Sequence, residues 1–239
     1  MSRKPQVSII IPIFNEEAIV DTAVRALQSR LIQKPWHCEI ILVQNGSTDT
    51  TAEIVAGLCA EFINLRMLSL PQADYGDALR HGIEAARGQF VICDEIDLGD
   101  VGFYERALEL LSGGRAMVVG SKRHHESRDD RPWLRRTGTA VLNGMLRAGL
   151  GFHGTDTHGP KAFRRHAVAP IVERCSMGRD LFASELVIRA GRAGLDIVEI
   201  PLQLREIRPP SVGLMRRVPR ALVDFGRLMY AVRVRDKLR

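Results

Sequence analysis

The 239-residue chain is 45% hydrophobic and 26% charged, an ordinary soluble balance, with length for one large domain or two small ones. Its net charge of +6 is uneven: residues 213–239 hold eight basic and two acidic side chains, a surplus equal to that of the whole chain, so the body is near neutral and a general nucleic-acid binder is not expected. No apolar run reaches the ~20 residues that span a bilayer, no signal peptide is expected ahead of the first strand pattern, and Cys38, Cys59, Cys93 and Cys175 form no CxxC pair, which fits reduced packing residues in a cytosolic protein.

Val7-Ser-Ile-Ile-Ile-Pro-Ile13 is β-branched and apolar, a buried strand, and Pro12 is expected to mark where its pairing stops. Asn15 stands where an N-cap belongs, before Ile19, Val20, Ala23, Val24 and Leu27 at helical spacing. Residues 39–43 form a second strand, 44–49 a turn with capping residues, and 51–60 a helix. Residues 65–70 make a third strand, 76–86 a helix closed by Gly88, and Phe90-Val-Ile-Cys93 a fourth strand. Further on, 104–111 reads as a helix, 116–120 as a strand, 121–136 as a polar loop, 137–150 and 181–193 as helices, and 196–205 as one strand or two. The alternation predicts a doubly wound, Rossmann-like sheet, mostly parallel and flanked by helices. GxGxxG and GxxxxGK[ST] fingerprints are missing from the first half.

The fourth strand runs into Asp94, Glu95 and Asp97, with Asp100 just beyond. Carboxylates so close repel one another and lose solvation at the end of a buried strand. A divalent cation relieves that, and Mg²⁺ or Mn²⁺ prefers oxygen ligands shared with phosphate. The alternative is an acidic surface turn. Near the chain end, Leu214, Met215, Val218, Leu222, Val223, Phe225, Leu228, Met229 and Val232 recur at helical steps with arginines opposite, and Pro219 is expected to open the continuous helix. Such a basic amphipathic helix suits an anionic membrane surface, or else packs on the domain or in a homodimer.

In this order the motifs resemble family 2 glycosyltransferases of the GT-A fold, in the branch that makes polyprenyl-phosphate sugars. The carriers are Val7 to Glu17, Val43-Gln-Asn-Gly-Ser-Thr-Asp49, Asp77 to Gly82, Glu95-Ile-Asp97-Leu98, Gly120-Ser-Lys122, Asp156 to Arg165, Leu181 to Leu186 and Glu199 to Leu202 followed by Arg205. The resemblance implies a GT-A domain over 1–211, with a nucleotide half (1–100) and an acceptor half (101–211), followed by a helical segment, 212–239. It implies an inverting, metal-dependent hexose transfer from a nucleotide diphosphate sugar to a polyprenyl phosphate. Pro12, Phe14, Asn15, Glu16, Asn45, Ser47, Asp77, Asp94 and Glu95 would line the nucleotide. Asp94, Glu95 and Asp97 would hold Mg²⁺ or Mn²⁺. Asp97 and Glu185 would serve catalysis, and Lys122, Arg136, Arg164 and Arg205 an acceptor phosphate. A cytoplasmic protein, peripheral on the inner membrane face, follows. The sequence departs from the family pattern at Gln44-Asn45, at Glu95 and at Lys122, and lacks the family's G-E-S-K acceptor loop. These departures keep two rivals open: a transferase using a soluble hydroxyl acceptor, and a catalytically weak nucleotide-sugar-binding protein on the same fold.

Overall fold

A computed structural model of the chain describes residues 4–121, 144, 147, 149–151, 154, 157, 159–179, 181–202 and 214–233, without the side chains of 214–222 and 224. The strands are β1 (Val7–Ile13), β2 (Cys38–Asn45), β3 (Leu65–Leu70), β4 (Phe90–Cys93), β5 (Met117–Ser121), β6 (Lys161–Arg164) and β7 (Ile197–Pro201). The helices are α1 (Val20–Leu31), α2 (Thr51–Glu61), α3 (Tyr75–Ala85), α4 (Val101–Ser112), α5 (Arg165–Arg174), α6 (Leu181–Arg192) and α7 (Leu214–Arg233).

The strands form one sheet in the order β3-β2-β1-β4-β6-β5-β7, parallel except for β6, which runs against both neighbours. Successive strand side chains point to opposite faces, so the apolar runs build two cores. Ile9, Ile11, Leu42 and Ile92 meet α1, α2 and α4 on one face. Ile10, Ile41, Val43, Val91 and Phe163 meet α3, α5 and α6 on the other, joined by Leu228 and Val232 of α7. Each fully buried side chain of this size contributes roughly 1.5–3 kcal/mol. From β1 the chain moves to β2 and β3 on one side and then returns to β4 on the other. The direction of winding therefore reverses between β1 and β4, and a crevice opens beyond their carboxyl ends.

Four local readings are corrected by the packing. Pairing of β1 with β2 runs past Pro12 to Ile13, while pairing with β4 ends at Ile10. The Ile10 carbonyl accepts from Asp94 N on the β4 side, and Pro12, two residues on, points the same way. Its missing N–H therefore falls where β4 has no partner left. Helix α1 begins at Val20 after an Ile19 cap, so Asn15 is not its N-cap. Helix α5 was not anticipated: Pro170 lies inside it, which by local preference argues against a helix. Burial of Val168, Ile171 and Val172 overrides that preference. Helix α7 starts at Leu214, ahead of Pro219. Its apolar stripe, from Phe225 on, packs on the domain: Leu228 and Val232 are buried, and Ala231 O accepts from Arg189. That part of the stripe is occupied inside the chain, not presented to a membrane.

Candidate functional site

The loops after β1 and β2 are sewn together at the crevice. Asn45, buried at the end of β2, donates its side-chain amide to Ile13 O at 3.2 Å. Asn15 adopts φ 53° and its Oδ1 accepts from Thr48 N at 2.8 Å, while its own N–H donates to Ser47 Oγ at 3.1 Å. Glu16 N donates to Thr51 Oγ1, and Glu17 accepts from Thr50 N and Thr50 Oγ1. Gln44 turns back to accept from Gly46 N at 2.7 Å. Gly46 has φ 75°, and a Cβ there would meet the backbone of Gln72 and Ala73 at 3.0 Å, so only glycine lets the β3–α3 loop lie on this turn. Phe14 stands 43% exposed above these loops.

On the far side of the turn, Asp74 caps α3 by accepting from Asp77 N at 3.0 Å, and it also accepts from Arg179 N at 2.6 Å. Asp77 thus sits in the first turn of α3, at the positive end of the helix. Arg80 donates to Met177 O and stacks over Phe182 with its Cζ 5.5 Å from the ring centroid. Glu185 holds the same segment: one carboxylate oxygen accepts from Ser176 N and Met177 N at 2.8 and 2.7 Å, the other from Arg189 Nε at 2.8 Å. Glu185 has no exposed surface. Both oxygens of Glu185, a residue expected to serve catalysis, are thus engaged in positioning this segment.

The acidic cluster divides. Asp94 is 2% exposed, and its carboxylate accepts from Tyr104 Oη at 2.6 Å and from Glu95 N at 2.8 Å. Burial pushes its carboxyl up to about 7, against the lowering effect of the Tyr104 hydrogen bond. Asp94 is thus an interior residue, which corrects its assignment to nucleotide and metal. Ile96 is buried, Glu95 half-buried and Asp97 exposed, so Glu95 and Asp97 share the outer side of the turn that closes with Leu98 N on Glu95 O. Asp100 belongs to α4, where it caps Phe103 N at 3.0 Å.

The basic candidates also separate. Arg164 pairs in the sheet with Phe90, at the amino end of β4. Its guanidinium donates to Leu111 O and Arg115 O and lies over the Phe90 ring. It serves the opposite edge from the crevice, because the antiparallel β6 carries it there, and its acceptor assignment is corrected. Lys122, Arg136 and Arg205 lie outside the described residues. Lys161, quoted in the sequence motif without a role, pairs with Cys93 at the carboxyl end of β4; it is buried and donates to Gly159 O at 2.7 Å. The signal that could have found it was the antiparallel register, which no local pattern carries.

A mostly parallel sheet with helices on both faces, and an acidic pair at its switch point, is the GT-A architecture. Glucosyl-3-phosphoglycerate synthase of Mycobacterium tuberculosis, solved with Mn²⁺, UDP-glucose and phosphoglyceric acid, shares that fold at a TM-score of 0.63 and 22% identity, covering 93% of this chain and 80% of that one. The sequence pattern of glycosyl transferase family 2 covers residues 8–170, and the chain belongs to that family. The glycosyltransferase AglD of Haloferax volcanii is 29% identical over 89% of the chain and 35% of its own length. The dolichyl-phosphate beta-glucosyltransferase ALG5D of Trichomonas vaginalis is 29% identical over 92% of the chain and 72% of its own length. The chain thus spans about a third of the first relative and nearly three quarters of the second. Among the described residues no helix is long and apolar enough to cross a membrane.

Proposed function

We propose that the chain transfers a hexose, with inversion, from a nucleotide diphosphate sugar to a lipid-borne phosphate. The observation that carries this reading is the pair Glu95 and Asp97, turned outward from the carboxyl end of β4 at the switch point while Ile96 anchors the turn inward. Two hard oxygen donors fit Mg²⁺ or Mn²⁺, and among the described residues no third His, Cys, Asp or Glu completes a ligand set of the protein's own. Glu95 and Asp97 would hold the cation, which when bound supplies positive charge to the diphosphate leaving group. The other residues position and exclude. Asn45, Ser47, Asn15 and Glu16 form a fixed cradle for the nucleoside, with Phe14 as its exposed apolar surface and Pro12 beneath. Asp77, in the first turn of α3, borders the same crevice. The Glu185 clamp holds residues 176–179 against α3.

A phosphate acceptor is already a nucleophile, since its second pKa is ~6. It needs no general base, and the burial of Glu185 agrees with a reaction that uses none. Lys122, Arg136 and Arg205 remain the proposed acceptor contacts, by the family resemblance. The name of the Trichomonas relative supports a polyprenyl phosphate as the acceptor. The test is transfer from UDP- and GDP-hexoses with Mn²⁺ or Mg²⁺, offering a polyprenyl phosphate and a non-phosphorylated polyprenol. Product on the phosphate alone supports the reading. Product on the free alcohol alone overturns the acceptor, and turnover undiminished by a chelator overturns the metal.

A further inference from the structure

A cavity of about 540 Å³ opens on the helical layer where α5, α6 and α7 end together. Its wall carries Arg174, Arg189, Arg192 and Arg233, with Ile171 and Val232 between them. Three of the four arginines lie in the last turn of α5 or α6, and the fourth ends α7. Basic residues at helix ends normally answer the ~0.5 negative charge that each terminus carries. Arg189 is answered in addition by the Glu185 carboxylate, 2.8 Å away. Arg192 and Arg233 are exposed and have no carboxylate at ion-pair distance among the described residues. Arg189 is 5% exposed, with Nε on Glu185 and Nη2 on Ala231 O, so the cationic wall is built into the core and is not only surface decoration.

We infer that this cavity is an anion site for a phosphate-bearing ligand with an apolar portion, separate from the crevice at the carboxyl edge of the sheet. Planar guanidinium forks match phosphate oxygens two at a time, and several together hold more than one phosphoryl oxygen pair. The volume falls in the ~300–1,000 Å³ range of small-molecule sites, too large for a bare phosphate alone. Ile171 and Val232 give the same cavity an apolar wall. Among the described residues that line it none belongs to a strand, and Ala193 lies in the connection from α6 to the amino end of β7. The phosphate belongs either to a soluble metabolite or to a lipid headgroup.

The experiment uses the full chain with chelator present. Inorganic pyrophosphate is titrated calorimetrically, and vesicles of phosphatidylglycerol or phosphatidylcholine are tested by sedimentation. The same is done for the double variant R192A/R233A and for a control, R87A/R106A, that loses two exposed charges elsewhere. The expected result is at least a 10-fold weaker affinity in R192A/R233A and no change in the control. A loss confined to pyrophosphate assigns a soluble ligand; a loss confined to phosphatidylglycerol vesicles assigns a headgroup. Equal binding by the wild type and both variants, or no binding of either probe by the wild type, overturns the site. Sugar-donor turnover is expected to be unaltered in R192A/R233A, so failure here leaves the reading of the crevice standing.

Discussion

The two edges of the sheet both bury a carboxylate at the end of a strand, and they treat it in opposite ways. At the amino edge, Glu39 accepts from Ser8 Oγ at 2.6 Å, from Arg87 N at 2.8 Å and from the Arg66 guanidinium at 2.8 Å. Burial alone would raise its pKa, but these donors outweigh burial and hold the carboxyl below its ordinary range. At the carboxyl edge, Asp94 has one tyrosine and one amide, and its carboxyl is pushed up to about 7. Two more carboxylates, Glu95 and Asp97, follow within three residues on the outer side. The first edge neutralises its charge within the protein and so contributes stability. The second carries Glu95 and Asp97 on the outer side of its turn, the arrangement on which the proposed cation site rests.

That contrast breaks most sharply at Asp97. Asp97→Ala should lower metal-dependent transfer by about 10²–10³-fold, the size of losing one charge-stabilising group, with Tm unchanged in a thermal melt. A matching loss of Tm would mean that the carboxyl edge is structural too. Glu39→Gln should do the reverse: about 3 kcal/mol of stability lost by denaturant titration, a Tm lower by roughly 6–12 °C, and turnover per folded molecule retained. Because the folded pKa of Glu39 is depressed, its contribution is present above the unfolded value near 4.3 and is lost as pH falls through the folded value. The wild type should therefore lose this increment on acidification, and Glu39→Gln should lack that component of the pH profile.

Tyr104→Phe strips buried Asp94 of its side-chain donor and should cost about 2 kcal/mol, since a buried acceptor left without its partner costs that order. Its readout is a lowered urea midpoint at unchanged m-value. The smallest expected effect is that of Asn15→Ala, which removes the bond to Thr48 N and leaves alanine at φ 53°. A loss of about 1 kcal/mol, with KM for the nucleotide sugar rising more than kcat falls, would separate a cradle from a catalytic group.

Much of residues 1–100 was legible because the signals there are local. Val7 to Ile13 could only be a buried strand, and Gly46 with Ser47 to Asp49 could only be a turn. The acidic stretch after Cys93 was visible as charge placed where an apolar strand ends. What escaped was the direction each side chain takes. Asp94, Glu95 and Asp97 look equivalent in sequence, but the pairing of β1 with β4 and the Tyr104 hydroxyl turn the first inward. Asn15 looked like a helix cap and instead bonds a loop that lies 33 residues away.

The alternation of strands and helices, the two-faced burial of the strands and the acidic strand end follow from side-chain periodicity and hydropathy alone. Packing sets the antiparallel direction of β6, which carries Arg164 away from the crevice and brings Lys161 beside Cys93. Packing likewise makes Glu185 the clamp of a loop and covers the apolar stripe of α7 from Phe225 on. Register, strand direction and the partner of a buried charge depend on contacts between distant segments. A local pattern records what a residue can do, and packing selects which of those possibilities is used.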